Sequence, residues 1–421
     1  MDLLARIRED MAHESNIWKS YLYRFLMEFQ LWWPIWVVYL QVKRGLSLTQ
    51  ITLMDAPFFV LIVLAEVPTG AIADRFGRRF SLMLGSSLFA VAVFIFAIAD
   101  SYPVLLLSYG TWGLALTFQN GADMALLYDS LQAVGREDSF QKINSRLTAL
   151  RSLSVLLAII IGAPLAEATN YQFPIMLSAG VALLAVPVAL SMHEAKRGTH
   201  EPDRYLQTLL SGIRDVWRHA PLRNIIFFSG IIWAGTFTPL IFQQPFLHHY
   251  GVGTGDLGLW QAPVRAAGIV AALLAYQFVS RMGQRAGFLA LPVLLIGANL
   301  ALAGIDHGWA AIGFLGIGLT AGMQMPIVAT YVNHRIPSER RATILSVQSV
   351  VASGMLAICE PIGGIVADQF GLRAVFLVFA VMTATFAFPL LFLWDRAERE
   401  QTEREALSRE LLGREREAVA V

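Results

Sequence analysis

Six polar side chains stand inside runs that are otherwise apolar: Arg24 with Glu28, Gln119 with Asp123, and Arg265 and Glu360 further on. A spacing of four places Arg24 beside Glu28, and Gln119 beside Asp123, on one face of a helix. In hydrocarbon an ionised side chain costs at least about 2.5–3.5 kcal/mol, so each asks for a partner or a water-filled cavity. A carboxylate next to an arginine can take up or lose a proton as its surroundings change. Glu28 or Asp123, with Arg24 as countercharge, is therefore a candidate protonation site; the alternative is a permanent ion pair, or an Arg24 that snorkels to the interface. Arg265 and Glu360 each lie about 10 Å from the outer ends of their runs by helical rise. They are expected to pair, the alternative being that Arg265 draws an anionic ligand.

The elements that position these groups follow from composition. Hydrophobic residues make up 56% of the 421-residue chain and charged residues 15%, with a mean hydropathy of +0.56. A water-soluble chain of this length normally carries about a quarter charged residues, so lipid is the expected solvent. Runs long enough to cross a bilayer fall near 19–41, 51–72, 80–99, 103–128, 148–167, 172–192, 223–247, 258–280, 287–304, 309–333, 343–367 and 372–394. These twelve runs predict twelve spans, and in them Glu28 and Asp123 both lie about 12 Å deep. Lys and Arg test the assignment, because cytoplasmic loops carry the excess. Most of the 32 fall on one set of alternating loops and the two ends, whereas the other set holds only Lys43, Arg44 and Arg373. Both termini are thus expected in the cytoplasm. The polar start, Met1 to Asn16, lacks the apolar core of a cleaved signal.

The longest basic loop divides the chain. The expected units are a first six-helix bundle over 1–192, a linker over 193–221, a second bundle over 222–394 and a charged tail over 395–421. Within the linker, Tyr205 to Trp217 has apolar residues at helical spacing and reads as an amphipathic helix on the inner membrane surface. The tail alternates Glu and Arg at i,i+4 and reads as a solvated helix.

Between the second and third runs stands Gly70-Ala-Ile-Ala-Asp74-Arg75-Phe-Gly77-Arg78-Arg79, a basic turn with one carboxylate. Seven of the residues around it recur 294 positions later: Glu66, Gly70, Ala73, Asp74, Phe76, Gly77 and Arg79 return as Glu360, Gly364, Ala367, Asp368, Phe370, Gly371 and Arg373. With twelve spans and a central basic loop, this turn resembles the signature of the major facilitator superfamily over nearly the whole chain. The resemblance implies an all-α membrane fold of two pseudo-symmetric six-helix bundles around a central cavity that opens to each side in turn. It also implies that Gly70, Asp74, Arg75, Gly77, Arg78 and Arg79, with Glu66 one turn above, clamp and release the bundles. By the same analogy the first and fourth spans bring Arg24, Glu28, Gln119 and Asp123 to the cavity of the first bundle. Gln243, Gln244 and Gln324 then belong to cavity spans of the second, where amides bind a substrate or join helices. Trp32, Trp33, Trp36, Trp112, Trp233 and Trp260 are cavity walls or anchors. The chain departs from drug-exporting members in its fourth span, where Tyr109 precedes Gly113 in place of an arginine, and in its fifth, where the glycine-proline pattern shrinks to Gly162-Ala-Pro164.

Other classes are disfavoured. Net charge is +1 with no basic domain, which argues against a nucleic-acid partner. The single Cys359 allows no intramolecular disulfide. His248 and His249 diverge on a helix, so no metal site is expected, and no phosphate-cradling glycine loop points to ATP. No cofactor is expected and no enzyme activity. The expected function is secondary active transport of a small organic solute, as proton-coupled efflux of a drug-like or amphipathic metabolite. A proton-coupled uptake symporter or a lipid translocator is the alternative. Its expected partners are the solute, protons and the bilayer, and its expected place is the plasma (inner) membrane, as a multi-pass monomer.

Overall fold

The computed structural model describes residues 3–194, 212–214, 216–335 and 338–419. Among these no strand occurs, and ten helices are long and apolar enough to cross a membrane. All twelve runs are helical, but four are broken. The first consists of Leu3–Glu28 and Trp36–Arg44, and the second of Leu48–Leu53 and Asp55–Phe76. The fourth is Tyr102–Gln119 followed by Ala122–Ala133, and the seventh is Ala220–Ile241 followed by Gln243–His249. The rest are continuous: Arg78–Ile98, Phe140–Ala168, Gln172–Ser191, Leu257–Met282, Gln284–Gly304, Gly313–Arg335, Ser338–Phe370 and Leu372–Val419.

Glycine and proline account for two of the breaks. Gly121 takes φ +78°, open to glycine and costly for other residues, and ends the upper half of the fourth span. In the first, Pro34 lacks the N–H that would continue the helix. Hydropathy does not register such breaks because the residues stay apolar. The amphipathic helix expected over Tyr205–Trp217 lies mostly outside the described residues; 212–214 and 216–218 are helical. The tail does not begin a new element at 395, because the last span runs on as one helix to Val419.

Each half repeats one pattern of packing. In the first, span three packs on four and six, two on four, and one on five and six; in the second, nine packs on ten and twelve, eight on ten, and seven on eleven and twelve. The halves meet chiefly through two symmetry-related pairs, span two with eleven and span five with eight. The second-half helix turns join these seams at the end of the molecule opposite the chain termini, here called the distal face; the other is the terminal face. On the distal face Asp368 accepts from the N–H groups of Leu48 and Thr49 at 3.1 and 2.8 Å, and the Tyr171 hydroxyl meets that of Thr254 at 2.7 Å. A Cβ on Gly364 would lie 2.8 Å from the Thr49 Cα, so the absence of a side chain lets spans two and eleven close. Its counterpart in the repeat, Gly70, has nothing within 4 Å on the terminal face. The molecule is closed distally and open towards its termini.

Closure through glycine makes Gly364→Leu diagnostic. In a Cys359→Ser background, a cysteine at Ala163 in the companion seam, where the native residue is fully buried, should be alkylated several-fold faster once Gly364 is leucine. Unchanged protection would show that the seams do not open together.

Candidate functional site

The break in the first span opens the site. Backbone groups released inside a bilayer have no water to bond and must be satisfied by protein. Leu31 N–H donates to Ser178 Oγ at 2.8 Å within the first half. Turn bonds within the stretch satisfy Gln30, Trp33 and Ile35 N–H, and the second half supplies three more bonds. Gln244 Nε2 donates to the Trp33 carbonyl at 2.8 Å while its Oε1 accepts from Val37 N–H at 3.0 Å, and Gln261 Nε2 donates to the Pro34 carbonyl at 2.9 Å. Of the two roles open to Gln244, binding a solute or joining helices, the structure shows the second: it stitches the two halves together. Gln243 beside it is buried.

Below the break lies an ion cluster. Arg24 contacts Asp123, and its second guanidinium nitrogen is 3.5 Å from Glu28. Glu28 also receives Arg151 Nε at 2.9 Å. Arg24, Glu28 and Asp123 are largely buried, whereas the Arg151 side chain is 60% exposed and open to water. The structure therefore brings together the three residues expected from depth and adds Arg151 from the fifth span. The run assigned to that span starts at 148, which places Arg151 inside it, so its charge was visible; its partner was not. Asp123 gains further support as an acid in the first turn of Ala122–Ala133, where the helix dipole favours negative charge. The same break turns Gln119 away: it is buried, bonds the Ala115 carbonyl at 3.3 Å and packs against Gly85. The expected common face of Gln119 and Asp123 is not formed.

Arg265 does not pair with Glu360. It is exposed, makes no ion pair among the described residues, and feels the charge of Arg151 from the opposite half. Glu360 instead meets Asp55 of the second span, a carboxyl the sequence reading passed over because it opens an apolar run. Gln324 is buried, and neither its Nε2 nor its Oε1 has a hydrogen-bond partner among the described residues. An amide in that position is free to bond a ligand. Trp32 and Trp33 stack at 4.5 Å and Trp112 meets them edge-on at 5.4 and 6.2 Å, a wall in which the Trp33 and Trp112 indole N–H groups are unbonded. Trp233 stacks on Phe237 at 4.4 Å, and Trp260 is exposed.

On the terminal face Glu66, Gly70, Asp74, Arg75 and Arg79 are exposed. Gly77 takes φ +106°, and a Cβ there would come within 2.9 Å of the Glu194 carboxyl carbon. That carboxylate caps Arg78 N–H at the start of Arg78–Ile98, and the Arg78 guanidinium contacts Asp129. These contacts tie the turn to the fourth span and to the start of the linker.

Two packed halves of apolar helices around a charged cleft fit a membrane transporter. The Major Facilitator Superfamily model matches residues 25–359, and the chain belongs to that family. Among its relatives is the MFS-type transporter YxaM of Bacillus subtilis (strain 168), 26% identical over 83% of this chain and 88% of that protein. Multidrug resistance protein 1 of the same organism is 23% identical over 68% of this chain and 73% of its own length. Quinolone resistance protein NorA of Staphylococcus aureus is 24% identical over 39% of this chain and 42% of its own. In fold, the nucleoside transporter NupG superposes with a TM-score of 0.72 at 15% identity, over 90% of this chain and 99% of that one. A bacterial homolog of the human lysosomal transporter Spinster, crystallised inward-facing and unoccupied, gives 0.74 at 15% identity, over 92% and 97%.

If Arg24 and Asp123 act as one buried unit, their substitutions are not additive. A cycle of Arg24→Gln, Asp123→Asn and the double variant, read by thermal unfolding in detergent, should give a coupling of about 0.5–3 kcal/mol. Additivity would mean that the two side chains are energetically independent.

Proposed function

We propose that this chain exports amphipathic organic solutes in exchange for protons, that solutes with an anionic group are preferred, and that the terminal face is cytoplasmic. The observation that carries this reading is the cluster of Arg24, Glu28, Asp123 and Arg151, faced from the other half by Arg265 without a carboxylate of its own. Three arginines against two carboxylates leave one positive charge in surplus. An anionic head between Arg151 and Arg265 neutralises that surplus and ties the halves together through one ligand. The Trp33 and Trp112 wall suits an apolar body, and the Gln324 amide suits a polar group on it. Protonation of Glu28 or Asp123 releases Arg24 and Arg151 and strengthens the site for an anion, so exchange arises from opposite effects of proton and solute on the conformation, not from competition at this site.

The similarity to multidrug and quinolone resistance proteins supports export. The excess of Lys and Arg on the terminal face supports its cytoplasmic placement in the plasma membrane. Asp74, Arg75 and Arg79, exposed here, would close that face in the alternate conformation, as their repeat Asp368 closes the distal one.

Proteoliposomes test the reading. An imposed pH gradient should drive anionic amphipaths against their own gradient, and Glu28→Gln or Asp123→Asn should abolish that dependence. Arg265→Gln should slow anionic amphipaths about tenfold or more, from loss of a charge-assisted bond of roughly 1.5–3 kcal/mol, and spare cationic ones. Saturable flux that ignores the pH gradient would end the coupled-export reading.

A further inference from the structure

A second pair of acids lies away from the arginine cluster, in the seam between the halves. Asp55 on the second span and Glu360 on the eleventh are 8% and 4% exposed, and their carboxyl groups lie within hydrogen-bonding reach of each other. Glu360 Oε2 is sealed from solvent with no hydrogen-bond donor among the described residues. The titratable groups facing the pair are Tyr102 and Tyr109 from the fourth span and Cys359 beside Glu360. Each of these is neutral near pH 7 by its ordinary chemistry. Asp368, two turns further along the eleventh span, is occupied by the Leu48 and Thr49 N–H groups. No arginine, lysine or histidine is among the groups acting on either acid.

Two carboxylate oxygens are both acceptors, so a direct contact between them lacks a donor. Two ionised carboxylates this close and out of water repel; with no cation at hand, the contact is satisfied by one shared proton. We infer that Asp55 and Glu360 form a proton-binding site that latches the distal seam. With one proton between them, a carboxyl donates to a carboxylate across the two halves and the distal face stays shut. When that proton passes to water, two adjacent carboxylates remain, and their repulsion parts spans two and eleven.

The sign follows from linkage: the closed seam binds one proton more than the open one, so closure is favoured at low pH and lost as pH rises. The site exists at one end only. In the 294-residue repeat Glu66 corresponds to Glu360, but Asp55 corresponds to Ser349, so the terminal face has no such pair. An exchanger needs this inequality, since a proton taken up from one side must favour one conformation. The inference deepens the proton-coupled reading above and rests on it for the physiological role, but the latch is measurable without flux.

Spin labels at Val42→Cys and Trp309→Cys, exposed positions beside the distal seam on opposite halves, report its width in purified protein carrying Cys359→Ala. In otherwise unaltered protein, the open-to-closed ratio should rise with pH by up to about tenfold per unit, the limit for one proton, between about pH 5 and about pH 9. Asp55→Asn and Glu360→Gln each supply a donor that does not titrate, so each should hold the seam closed across that range. A distance distribution indifferent to pH in the unaltered pair would overturn the latch, and this arm depends on no acid variant folding. So would variants that titrate normally, or a pH response abolished by Glu28→Gln and retained in Asp55→Asn. An intact latch alongside proton-independent flux supports the site and counts only against coupled export.

Discussion

A backbone that leaves its helix inside lipid must find every hydrogen bond within the protein, and this chain meets that demand across the join of its two halves. Beyond its own turn bonds, the unwound stretch of the first span takes bonds from Ser178 on one side and from Gln244 and Gln261 on the other. Four apparently separate features follow from this. The break lets Trp32 and Trp33 stack beneath it; it ends the helix at Glu28, within reach of Arg151; it holds the distal ends of the halves together; and it sets the top of the cleft between them. Were these groups unsatisfied, each would cost on the order of several kcal/mol in hydrocarbon, which is why two glutamines of the second half are committed to backbone.

Charge is distributed by the same logic of partnership. Arg24, Glu28, Asp123 and Arg151 neutralise one another within the first half, and Arg265 stands alone on the second. The distal seam holds acids without a base. On the proposed reading, an arginine cluster and an acid pair in separate places let solute and proton bind different groups while acting on one conformational change. On that reading, coupling passes through the two bundles, which meet at spans two with eleven and five with eight.

Much of the fold was legible because lipid imposes a coarse and repeated signal. Twelve apolar runs, each helical in the structure, were readable from residue types alone. The depth argument that grouped Arg24, Glu28 and Asp123 worked because rise along a helix is fixed and the first and fourth spans run antiparallel side by side. It failed for Gln119, where Gly121 reorients the chain within one turn. It failed also for Arg265 and Glu360, since equal depth on two spans does not bring side chains together when the spans face different neighbours. Asp55 was missed because a single acid at the head of an apolar run looks like an interfacial residue until the opposing span is in place.

The sequence by itself determined that the chain lives in lipid, how often it crosses, which loops are basic and which residues recur after 294 positions. These follow from transfer free energies and helical rise, which are local properties of the chain. Only the tertiary structure decided how each copy of the repeat packs, with Asp368 and Gly364 closed against the second span on the distal face and Gly70 open on the terminal one. It also decided that Glu360 meets an acid rather than an arginine. Partner choice between helices depends on their rotation about their own axes and on side-chain volumes at the seam, where glycine permits contact. Neither is written in the periodicity of any one span.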